Sequence, residues 1–247
     1  MSSILIFNGK RLDEFGLRVS GGGTYDAPKR IVESVAVPNR NGAILNDTGT
    51  FANISVKYDG SIVRDFSRNS EALREWLMSS SGYCRLEDSY HPDEFRLAAF
   101  YGDIKFTTTF QNRVGSVSLA FDAMPQRFLK SGDKWIELSP GTTVNIKNPT
   151  MFASDPLIEI DCPSGQDCSF SYGETTVFIN ALQNSHTIVI DALNRNARLA
   201  DGETESWVND SLNNHVTITG DMKIQTGNCI ISSINCTSRI KMRWWKV

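Results

Sequence analysis

The feature that most constrains this chain is short apolar–polar alternation, cut every few residues by clusters of Asn, Gly, Asp and Pro. "FANISVKYDG" sets Ile54, Val56 and Tyr58 on one face, and "KRIVESVAVP" does the same with Ile31, Val35 and Val37. A period of two places alternate side chains on opposite faces of an extended strand, the pattern of an antiparallel sheet with one covered face. "ILIFNGKRL" and "FGLRVSGGGTY" read as short strands around an Asn8-Gly9 turn, the strongest short hairpin signal. "FRLAAFYGDIKFTTTF" and "RVGSVSLAFDAMP" continue the alternation. One segment departs from it. "SRNSEALREWLMSSSGY" spaces Leu73, Trp76 and Leu77 at helical intervals, with Glu71 near its start and Gly82 past its end. That predicts one amphipathic helix over about residues 69–79, packed by its Leu-Trp-Leu face on a sheet.

Periodicity breaks at "MPQRFLKSGDKWIELSPGT", where Pro125, Ser131-Gly132-Asp133 and Pro140-Gly141 fall together. Beyond it the strands shorten and recur regularly: "TTVNIKN", "LIEIDC", "CSFSYG", "TTVFINA", "HTIVIDAL", "HVTITGD", "NCIISSI" and "RIKMRWW". Such spacing predicts an antiparallel β-sandwich. The expectation is a mainly β protein of two domains, residues 1–130 with one helix (α+β) and residues 131–247.

Composition excludes several classes. Hydrophobic residues make up 40% and charged residues 21%, which is ordinary for a globular protein. A net charge of −3 with scattered Lys and Arg argues against a nucleic-acid-holding domain. No apolar run is long enough to span a membrane. The N-terminal "MSSILIFNGKRLDEFG" has no basic region or apolar core of signal-peptide length, so folding in a cytoplasm is expected. Five cysteines, an odd number, fit reduced thiols packed as small hydrophobes. Cys162 and Cys168 flank a Pro-Ser-Gly turn and could face each other across a hairpin, as two thiols, a disulfide or half a metal site.

Chemical motifs are missing. There is no phosphate loop, no GxSxG and no HExxH, and "GGG" at 21–23 is not followed by a helical pattern. The densest titratable cluster is "LEDSYHPDEF", with Glu87, Asp88, His91, Asp93 and Glu94. Neighbouring carboxylates on a strand or turn point in different directions, and calcium-loop spacing is missing, so it reads as a structured, solvated acidic turn. Trp135, Trp207, Trp244 and Trp245 all fall in the second half; they are packing residues or a sugar-stacking surface. "RIKMRWWKV" reads as a last strand with a cationic face. No catalytic residue, cofactor site or metal site is expected.

Several segments in this order resemble the distal tail (Dit) protein family of long-tailed, non-contractile bacteriophages (siphophages) and related prophages. They are "FNGKRLDEFGLRV", "YDAPKRIVESVAVPNRNGAIL", "NISVKYDG", "EALREWLMSSSGYCRLEDSYHPDEFRLAAF", "VSLAFDAMPQRFLKSG", "VNIKNPTMFASDPLIEI", "HTIVIDALNRNARL" and "RIKMRWW". The resemblance implies a non-enzymatic virion protein at the tail tip, made in the host bacterial cytoplasm. The N-terminal domain, a sandwich or barrel-like sheet with one helix, would form a homohexameric ring, and a galectin-like sandwich would follow it. The implied partners are further copies of the chain, the tail tube protein, and the tail-associated hub or lysin of the baseplate. A receptor-binding protein or side fibre could join them in host adsorption. DNA would pass through the lumen without specific binding; six chains at −3 each give an acidic ring of about −18. Within this frame Pro38, Asn39, Arg40, Asn41 and Gly42 are the expected interface turn. The second half is only long enough for the basic sandwich, which favours an adaptor over the alternative, a carbohydrate-binding module contacting the host surface.

Overall fold

The computed structural model describes residues 3–20, 25–109, 113–201, 204–207 and 215–247. The chain divides into two compact units, Met1–Arg127 with Val247, and Phe128–Lys246.

In the first unit the strands are β1 (Leu5–Phe7), β2 (Lys10–Arg11), β3 (Leu17–Ser20), β4 (Arg30–Ala36), β5 (Ala43–Phe51), β6 (Ile54–Ile62), β7 (Cys84–Asp88), β8 (Glu94–Ala99), β9 (Phe106–Thr109) and β10 (Val114–Leu129). Asn8 and Gly9 both take positive φ, 48° and 75°, and close the β1–β2 hairpin as the sequence predicts. The main antiparallel sheet runs β2-β1-β7-β8-β10-β6-β3, with β9 also on β10. A bridge between Ser3 and Val19 joins the start of the chain to β3 at the far edge, so the sheet curls towards closure. β6 pairs with β10 over nine residues, from Ile54 opposite Ala123 to Ile62 opposite Gly115. Its Val56, Tyr58 and Ile62 are buried with Phe121, Leu119 and Val117 in one core.

The helix α1 (Phe66–Ser79) begins before residue 69, the expected start. Its first residue explains why. Phe66 fills the space above Gly115, where a Cβ would lie 2.2 Å from the ring, and meets Phe106 edge-on at 5.5 Å. Docking, not a capping side chain, sets this end; Asp65 makes no side-chain cap bond. Leu73 and Leu77 are fully buried, each contributing about 1.5–3 kcal/mol. Trp76 stacks on Phe15 at 5.3 Å and meets Phe7 at 5.8 Å.

The second unit holds β11 (Ile136–Leu138), β12 (Thr143–Asn148), β13 (Leu157–Cys162), β14 (Cys168–Tyr172), β15 (Thr175–Ile179), β16 (His186–Asp191), β17 (Asn196–Asp201), β18 (Thr204–Trp207), β19 (Val216–Thr219), β20 (Gly227–Ile234), β21 (Thr237–Lys241) and β22 (Trp245–Lys246). A six-stranded sheet, β11-β21-β13-β16-β17-β18, and a five-stranded sheet, β12-β20-β14-β15-β19, share one apolar core. Ile158, Ile160, Ile188 and Ile240 enter it from the first sheet; Phe170, Tyr172, Val177 and Ile231 enter it from the second. This is the antiparallel sandwich that the regular strand spacing predicts.

The Cys162–Cys168 expectation needs correction. Their strands, β13 and β14, belong to different sheets, so "PSGQD" crosses between layers and does not close a hairpin. All five cysteines are free thiols, and four of them are buried.

Candidate functional site

Most of the first unit buries its alternating strands. The β4–β5 hairpin does not. It forms a two-stranded sheet of its own, and every residue from Arg30 to Ala36 and from Ala43 to Thr50 is exposed. Ile31 is 48% exposed, Val35 and Ile44 46%, and Leu45 67%. Val35 stands opposite Ile44 and Ser34 opposite Leu45, so both faces carry uncovered apolar side chains. A free two-stranded hairpin is marginal in water, and exposed apolar surface of this kind makes it a candidate contact surface.

Local chemistry shapes the hairpin. At its tip the Arg40 N–H donates to the Val37 carbonyl at 3.2 Å, with Pro38 first in the turn and Asn39 at φ 63°. That is the type II arrangement, in which proline presets one angle and asparagine tolerates the left-handed one. Gly42, at φ 80°, returns the chain into β5. The predicted interface residues Pro38, Asn39, Arg40, Asn41 and Gly42 therefore form one exposed tip. At the base, Arg30 Nε donates to Asp47 at 2.8–3.0 Å, and the Gly49 N–H donates to the same carboxylate at 2.8 Å. The Gly49 bond and then Arg30 hold the Asp47 carboxyl below its usual range.

The acidic turn between β7 and β8 is not a catalytic pair. Asp88 accepts from the Tyr58 hydroxyl at 2.6 Å, the His91 N–H at 2.8 Å and His91 Nδ1 at 3.1 Å. Glu94 accepts from Arg127 at 3.3 Å, and Glu87 from Arg85 Nε at 2.6 Å. The Asp88 and Glu94 side chains are only 7% and 11% exposed, so this part of the turn is buried, not solvated as the sequence suggests. Sequence reasoning missed the cations. Arg96 and Arg127 lie on β8 and β10 within alternating segments, where position parity predicts the face but not the partner. Burial and then the Arg127 charge push the Arg96 guanidinium's pKa down.

Three tryptophans of the second unit are engaged in packing. Trp245 stacks on Phe152 at 4.4 Å and donates to the Ala153 carbonyl at 2.8 Å. Trp135 lies under Arg239 and Lys241, at 4.6 and 5.1 Å, and Trp244 packs on the core. The Trp207 side chain and the "GGG" at 21–23 lie outside the described residues. At the end of β16, Asp191 accepts from Arg243, in the link between β21 and β22, at 2.5 and 3.3 Å, and from Asn194 at 2.9 Å. Burial drives the Asp191 carboxyl up, but Arg243 and Asn194 outweigh it and hold it below its usual range. Burial pushes the Cys168 thiol up to about 11 and the Cys162 thiol further, which keeps both protonated and unreactive. Among the described residues no group of three or more His, Cys, Asp or Glu could hold a metal ion, and no helix is long and apolar enough to cross a membrane.

No family model matches the sequence, and no curated protein matches it. The fold does match solved structures. It aligns with the Dit (gp 19.1) protein of phage SPP1, described as a paradigm of the hub of the adsorption apparatus in phages infecting Gram-positive bacteria. The TM-score is 0.67 at 9% identity, covering 97% of this chain and 98% of that one. It also aligns with a chain of the phage P2 baseplate in its activated conformation with calcium, with a TM-score of 0.58, 10% identity and the same coverage. The strontium-activated baseplate of phage p2 gives 0.57 at 9% identity, over 97% of each chain. The chain has the fold of these hub and baseplate proteins from end to end.

Proposed function

We propose that this chain is a non-enzymatic structural protein of a phage tail tip, a distal tail hub whose first unit assembles into a hexameric ring. In this reading the β4–β5 hairpin is the arm between neighbouring subunits. The observation that carries it is the end-to-end fold likeness to hub and baseplate proteins, joined to an arm whose apolar faces stay exposed among the described residues. A head-to-tail contact that closes on itself covers every such arm once, and a ring leaves none over. The tail tube would stack on one side of the ring and the tail-associated hub or lysin on the other. The second unit would carry receptor-binding components, and DNA would pass through the lumen. The virion would be assembled in the bacterial cytoplasm.

Light scattering on the purified chain tests the ring. A hexamer of the 27.5 kDa chain has a mass of about 165 kDa and a central hole in negative stain. A mass near one chain, alone and with tail tube protein added, overturns the reading. A module that reads wall sugars is the weaker alternative, since Trp135 and Trp245 are committed to cation and ring contacts.

A further inference from the structure

Arg96 is 5% exposed, yet its Nη1 and Nη2 atoms have no hydrogen-bond partner, and among the described residues it forms no ion pair, although the Asp88 and Glu94 charges act on it. A buried guanidinium with four idle N–H groups is costly unless something compensates it. The nearby acids are engaged elsewhere: Asp88 with Tyr58 and His91, and Glu94 with Arg127. A small pocket sits among Tyr58, Asp88, His91, Glu94, Arg96 and Arg127. Its volume of about 10 Å³ suits a single particle near the size of a water molecule. Two further nitrogens in this cluster lack partners, Arg127 Nε and His91 Nε2. Unsatisfied atoms of the two guanidiniums are therefore all donors.

We propose that this cavity is a halide site, in which a chloride ion lies between the Arg96 and Arg127 guanidiniums and serves as the counter-ion of Arg96. A water molecule accepts at most two of these N–H groups and brings two protons of its own. A halide accepts from all of them, brings no proton, and screens the two guanidiniums from each other. The ion would tie β8 to β10 at the turn after β7, inside the first unit. The inference stands apart from the ring reading, because it concerns the folding of one chain.

The test is to melt the full chain in sodium chloride and in sodium gluconate at equal ionic strength, which matches screening by salt. The expected result is a saturable rise in Tm specific to chloride, about 5 °C when chloride reaches ten times its dissociation constant. Arg96→Met erases that rise, and in gluconate it melts no lower than the native chain, because methionine removes the unpaired charge. Equal melting in the two salts overturns the proposal, as does an unchanged chloride response in Arg96→Met. Should that variant fail to fold, crystals of the native chain grown in bromide decide. An anomalous bromine peak between the two guanidiniums supports the site; an ordered water there without a peak overturns it.

Discussion

β4 and β6 are read from the same kind of sequence and meet opposite fates. "RIVESVA" and "ISVKYDGSI" both alternate, and both form strands of an antiparallel pair. In β6 the apolar row, Val56, Tyr58 and Ile62, is buried to 3% exposure or less; in β4, Ile31 and Val35 stay nearly half exposed. The difference lies in what faces them. Leu73 and Leu77 of α1, with Phe7 and Leu12, share one core with the inward face of β6, whereas among the described residues β4 pairs with β5 alone, and both stay exposed. Alternation thus states that a face is to be covered, without stating by what. In the proposed ring, this uncovered face is the surface that a neighbouring subunit would cover.

That contrast can be broken by mutation. Phe121, opposite Val56, is fully buried and touches Phe7 and Phe100 at ring distances of 5.0 and 5.2 Å. Phe121→Ala should cost about 3–5 kcal/mol in urea unfolding. Two ion pairs extend the comparison to charge. Arg243–Asp191 is mostly buried, so Asp191→Asn should cost about 2–3 kcal/mol by leaving Arg243 without its anion. Because the folded Asp191 carboxyl is held low, its stabilisation is full above the unfolded carboxylate range. It is lost as pH falls through the folded value, and Asp191→Asn should flatten that acid limb of the melting profile. The exposed Arg30–Asp47 pair should show no measurable effect on melting when Asp47 becomes Asn.

The apolar face of the hairpin also contributes little to the stability of the single chain. Val35→Ser with Ile44→Ser should change the unfolding free energy of the single chain by less than about 0.5 kcal/mol while abolishing assembly on the sizing column. A loss of several kcal/mol in the isolated chain would mean that the hairpin is covered by its own subunit, and the contrast with β6 would collapse. Thiol labelling gives a final check: at pH 8 the half-buried Cys84 should react first, and the four buried thiols only after unfolding.

Much of the fold was legible in short windows. Asn8-Gly9 marks a turn because both residues tolerate positive φ, and Pro38-Asn39 marks another because the proline ring presets its own φ while Asn39 takes the left-handed one. The helical stripe of Leu73, Trp76 and Leu77 was visible, but its true first residue was not. Phe66 is placed by Gly115, which is remote in sequence. The acidic turn was visible as a cluster, and its meaning was not. Tyr58, Arg96 and Arg127 reach it from other strands and turn a solvated loop into a buried polar network.

Sequence alone determined the strands, their inward faces, the tight turns and the exposed hairpin tip, because backbone sterics and side-chain period act within a few residues. Tertiary structure alone decided which faces found a cover, that Cys162 and Cys168 belong to different sheets, and that the Arg96 Nη atoms are buried without a hydrogen-bond partner. Those outcomes depend on which distant strands pair, and a strand's alternation is the same whichever neighbour it takes.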